Sequence, residues 1–114
     1  MSCYGEIAVL LSPEADKQFI KFISTNTKED IRQLLKYDIY KSENKETGSK
    51  LYAWSFINHH IIDDITDFLE TLDSDLYLYI SVFDEYNEIN EGGSYSDDEL
   101  VMYPVTYIHI EDKE

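Results

Sequence analysis

From Leu51 to Asp112 the chain has no lysine and no arginine, yet this stretch holds Asp63, Asp64, Asp67, Glu70, Asp73, Asp75, Asp84, Glu85, Glu88, Glu91, Asp97, Asp98, Glu99, Glu111 and Asp112. An unpaired carboxylate is costly to remove from water, so any fold must keep these acids at or near its surface. The other nine acids are matched by the nine lysines and arginines, so the formal net charge of −15 belongs to this stretch alone.

Apolar residues recur between the acids with regular periods. Ile61, Ile62, Ile65, Phe68, Leu69 and Leu72 follow a helical stripe that Asn58 is placed to cap. Leu76 to Phe83 alternates as a strand, with Leu76, Leu78, Ile80 and Val82 on one face and Tyr77, Tyr79, Ser81 and Phe83 on the other. Leu100 to Ile110 reads as a further long strand, with Pro104 at an edge or bulge. Residues 84–99 then form an acidic linker between the last two strands, with Gly92-Gly93 at its tip.

The first half supplies the basic charge. The run Ile7 to Leu11 has the continuous apolar character of a strand covered on both faces. Ser12-Pro13-Glu14 opens a helix to about Ser24, and a weaker cap at Thr27 precedes a short second helix. Asp38 to Ile57 reads as a hairpin with Gly48 in its turn, and Tyr52, Trp54 and Phe56 are expected on one wholly aromatic face.

These elements give the order β-α-α-β-β-α-β-β in one domain spanning residues 1–114. The expected class is α+β: an antiparallel sheet of about five strands with helices packed on one face. A ferredoxin-like variant is the nearest named arrangement.

Charge and composition narrow the function. An acidic chain repels nucleic acid and anionic membranes, so direct nucleic-acid binding and membrane attachment are not expected. Cys3 is the only cysteine and forms no internal disulfide. The first residues carry no basic n-region and only a short apolar run, so the expected location is cytoplasmic.

Catalytic and metal motifs are weak. Glycine-rich phosphate loops are missing from the sequence, and an EF-hand starting at Asp84 fails at Tyr86 and Ile89. His59 with Asp63 and His60 with Asp64 have zinc-compatible spacing, but paired histidines at a helix start are more commonly caps or surface residues. Cys3 and His109 do not make a recognisable nucleophile and base. The expectation is a non-enzyme without cofactor or metal.

A one-sign surface steers an oppositely charged partner. Asp63, Asp67 and Glu70 fall on one helix face about 5–6 Å apart, a spacing like that of backbone phosphates. With Asp64, Asp84, Glu85, Tyr86, Glu88, Glu91, Tyr95, Asp97, Asp98 and Glu99 they form the candidate partner-binding set, to which Tyr103 adds an aromatic anchor. The expected function is an inhibitor or nucleic-acid mimic occupying the basic surface of a nucleic-acid-acting protein such as a nuclease, restriction enzyme or other defence factor. Two other readings use the same charge: an immunity-type inhibitor or adaptor of a basic protein or toxin, and a calcium-ordered binding module.

Overall fold

The apolar run that opens the chain becomes the middle of the sheet. In the computed structural model, which describes residues 4–37, 39–83, 88–104 and 108–112 and only the backbone of 103, 104 and 109, β1 spans Tyr4–Leu11. It is followed by α1 (Pro13–Ser24), α2 (Glu29–Arg32), β2 (Ile39–Glu43), β3 (Lys50–Asn58) and α3 (His59–Leu69). Then come β4 (Tyr77–Phe83), β5 (Glu88–Gly93), β6 (Leu100–Pro104) and β7 (Ile108–Asp112). Five strands form one antiparallel sheet in the order β2-β3-β1-β4-β5. The first four have the order of a ferredoxin-like split βαβ unit, and β5 extends it.

Alternation along β1 feeds two cores. Ile7, Val9 and Leu11 join Tyr52, Trp54, Tyr77 and Tyr79 beneath Ala15, Phe19 and Ile23 of α1 and Ile61, Ile62, Ile65 and Leu69 of α3. Ala8 and Leu10 face the other way, with Leu51 and Ile80, and are covered by Leu100 and Met102 of the β6–β7 hairpin. The continuous apolar run therefore reflects cover on both sides of the sheet. Burying one large side chain such as Phe19 contributes about 2–3 kcal/mol, so these layers dominate stability.

Local signals act as expected at both long helices. Ser12 Oγ accepts the Ala15 N–H at 3.2 Å, and Pro13 occupies the first helical position. Asn58 Oδ1 accepts the His60 N–H at 3.2 Å and fixes the start of α3. Gly48 turns the β2–β3 hairpin with φ 79°.

Three expectations need correction. The stretch expected to be a single strand from Leu100 to Ile110 folds back as β6 and β7, whose ladder runs from Leu100 opposite Asp112 to Pro104 opposite Ile108. The expected linker contains β5, and Gly92-Gly93 is the end of that strand rather than a loop tip. A Cβ at Gly92 would overlap the Tyr79 ring and one at Gly93 the Tyr77 carbonyl, so only glycine lets β5 close over those residues. The aromatic face of β3 is also broken. A bulge between Gly5 and Ile7 against β3 leaves Phe56 at φ 55° and 73% exposed, while Ile57 takes the buried position.

Candidate partner-binding groove

Helix α3 and the outer strands of the sheet enclose a groove of about 300 Å³. Its floor is polar, from Ser81 and Tyr79 of β4 and Asn90 of β5, with Ile62 and Phe83 at one end. Asp63 and Thr66 of α3 form one wall, and Glu88 of β5 forms the other. Asp67 and Glu70 continue the acidic edge along the same side of α3, because steps of four and three residues return to one helix face.

Glu70, at the C-terminal end of the helix, meets the groove through Tyr79 of its floor. Tyr79 donates to Glu70 Oε1 at 2.6 Å, and burial followed by this hydrogen bond and the charge of Glu70 raises the phenol well above its ordinary pKa. The phenol therefore stays protonated and acts as a fixed donor that orients the carboxylate.

The other expected site residues lie elsewhere. Asp64 points away from the groove and meets Lys28 Nζ at 2.8 Å, a cation from the first half of the chain. Glu91 pairs in register with Ile80, which belongs to the hairpin-side core, so it lies on the opposite face of β5 from Glu88 and Asn90. Asp97 is occupied in a loop clasp: it accepts from Asn44 Nδ2 at 3.0 Å, Thr47 Oγ1 at 2.8 Å and the Glu99 N–H at 2.9 Å. Partial burial opposes its ionisation, but hydrogen bonds from Asn44, Glu99, Thr47 and Ser49 outweigh that and hold the carboxyl down at about 2.

Tyr95, a member of the expected partner-binding set, is half-buried against the hairpin-side core and hydrogen-bonds through its hydroxyl to Ser49. Asp98 is exposed and Glu99 is half-buried, both beside the clasp. Asp84, Glu85 and Tyr86 lie outside the described residues, as does the side chain of Tyr103.

The spacing that allowed zinc is used differently. His60 Nε2 lies 3.2 Å from Asp30 Oδ2, and the His59 ring packs edge-on to Phe83 with centroids 6.3 Å apart. Among the described residues no three of His, Cys, Asp and Glu are grouped so as to hold a metal ion.

A larger groove of about 520 Å³ opens on the hairpin side, between Ile39, Tyr40 and Ala53 of the sheet and Ile108 and Ile110 of β7. Its acid, Glu6, accepts the Ile108 N–H. That carboxylate anchors the hairpin to the sheet.

Sequence reasoning missed Thr66, Ser81 and Asn90 as groove residues, because a short polar side chain carries no periodic signal of its own. It also missed Phe56, whose exposure follows from the bulge. The one hint was Gly5, where a Cβ would meet the Val82 carbonyl at 2.5 Å and so marks a close approach beside the irregularity.

Fold and site define a small α+β domain whose acidic groove lies between a helix and the edge of its sheet. Comparison with protein families, curated proteins and solved structures finds no match. No helix among the described residues is long and apolar enough to cross a membrane.

Proposed function

We propose that this chain is a non-enzymatic cytoplasmic inhibitor that occupies the basic surface of a nucleic-acid-acting protein, using acids where a nucleic acid would present phosphates. The observation that carries the reading is the groove, where Asp63 of α3 and Glu88 of β5 stand on opposite walls, Asp67 and Glu70 follow Asp63 along the same side of the helix, and the lining holds no lysine or arginine. A one-sign wall of this kind raises the encounter rate with a basic partner, and the polar floor gives that partner hydrogen-bonding sites once docked.

Structural use of Asp64 and Asp97 narrows the surface. Among the described members of the candidate set, the exposed acids are then Asp63, Asp67, Glu88, Glu91 and Asp98, with Glu70 held in place by Tyr79. Affinity capture on the immobilised chain at low salt, run beside the Asp63→Asn, Asp67→Asn, Glu70→Gln variant, tests the reading. The expected result is a basic nucleic-acid-acting protein retained by the native chain, released by added DNA and retained poorly by the variant. Retention that DNA leaves unchanged would instead favour an immunity-type inhibitor that does not imitate nucleic acid. Equal retention by both chains would remove the groove from the interface.

A further inference from the structure

We propose that the free edge of β5 receives an extended basic segment of the partner as an added strand of the sheet. The inference rests on the reading that the partner is basic, and it adds how that partner is held.

β5 ends the sheet order, so the backbone N–H and C=O groups on its outer side have no strand partner among the described residues. Glu88, Ile89 and Glu91 are exposed. An open edge of this kind is a template for strand addition, and proteins usually blunt it with lysine, proline or a covering element. The Glu88–Gly93 strand has neither lysine nor proline. The opposite edge, β2, is protected: it carries Lys41, and Tyr40 and Ser42 both donate to Asp112 of β7.

Alternation along β5 sets the chemistry of the incoming strand. Glu88 and Asn90 face the groove beside Asp63, whereas Ile89 and Glu91 face the other side. A strand added about 4.8 Å outside β5 sends every second side chain towards Asp63 and Glu88, where lysine or arginine finds its counter-charge. The residues between them lie beside Ile89, which is 41% exposed and offers an apolar contact. The edge therefore suits a segment that alternates basic with apolar residues. A second copy of this chain fits poorly, since its acidic edge would set like charges opposite one another.

The test uses the full chain and a short peptide alternating lysine with valine. Two analogues carry N-methyl groups on every second backbone nitrogen, one analogue for each parity. Binding is followed by calorimetry and by amide shifts in the chain. The expected result is shifts centred on Ile89 to Glu91 and Asp63, with one analogue losing affinity by about tenfold or more and the other binding as the parent does. The Glu88→Lys, Glu91→Lys variant, shown to be folded by circular dichroism, should lose the parent peptide as well.

Equal binding by both analogues would overturn strand addition and leave simple charge attraction. Self-association of the chain through β5 would also overturn it. If the peptide fails to bind while a basic protein is still captured, the edge inference falls and the proposed function stands. If neither binds, both fall.

Discussion

The ring of Tyr4 lies flat on the ring of Phe56, with centroids 4.6 Å apart and 3° between their planes. Phe56 has φ 55°, a conformation that costs an L-residue about 1–2 kcal/mol. The stack returns about 1 kcal/mol of that cost. Phe56→Ala should lower unfolding free energy by about 1 kcal/mol, because it keeps the strain and loses the stack. Phe56→Gly should be more stable than the alanine variant by about 1 kcal/mol, since glycine adopts positive φ without strain. Urea denaturation of the three proteins checks the order, and an alanine variant more stable than the glycine variant would refute the account of strain.

Tyr79 and Glu70 report on the groove through their hydrogen bond. Tyr79→Phe should destabilise the fold by about 1 kcal/mol, the usual net worth of such a bond. Because burial and Glu70 raise the Tyr79 phenol, the associated stability is intact below the ordinary tyrosine pKa and is lost as pH climbs past about 10. Alkaline difference absorbance should show a late-ionising fraction that includes Tyr79 and Tyr52, and Glu70→Gln should bring the Tyr79 part of it earlier. An unchanged titration in that variant would show that Glu70 does not act on the phenol.

Asp97 controls the acid limb. Its carboxyl is held at about 2, below the ordinary 3.8, so its contribution is present above about pH 4 and disappears as pH falls towards 2. Asp97→Ala should cost about 1–2 kcal/mol at neutral pH, since Asn44 and Thr47 lose their acceptor. The variant should also show a flatter loss of stability between pH 4 and pH 2. Parallel curves for the two proteins across that range would remove Asp97 from the acid response.

Asp63 and Asp67 should behave in the opposite sense. They lie one turn apart with like charge, and both are exposed, so Asp63→Asn with Asp67→Asn relieves repulsion worth a few tenths of a kcal/mol. The expected shift is an increase in Tm of about 1–2 °C at low salt, shrinking as salt is added. A clear fall in Tm would show that these acids serve the fold, contrary to a role reserved for a partner.

What was legible in the sequence was whatever nearest neighbours decide. Ser12-Pro13 and Asn58 cap their helices through atoms only two or three residues away, and the stripe from Ile61 to Leu69 needs only the helical period. β5 was hidden because Glu88 to Gly93 carries one large apolar residue, and its pairing depends on two glycines fitting over Tyr77 and Tyr79. The bulge at Phe56 was hidden for the same reason: it arises from register against β1, and the local sequence Trp54-Ser55-Phe56 alternates like any strand. The candidate site was half legible. Sequence identified the acids, while tertiary contacts decided that Asp63 and Glu88 share a groove and that Asp64 and Asp97 are occupied.

The placement of β1 also governs how the chain must fold. Val9 pairs with Tyr52 on one side and Tyr79 on the other, so the strand made first waits for partners made much later. Long loops must close before its pairings are rewarded, and such topologies fold slowly for their size. During synthesis the apolar segment from Ile7 to Leu11 stays without its first neighbour until β3 has left the ribosome, and without its second until β4 has. In that interval α1, capped by its own Ser12, is the element best placed to form beside it, so the earliest structure should be helical and the sheet should assemble last.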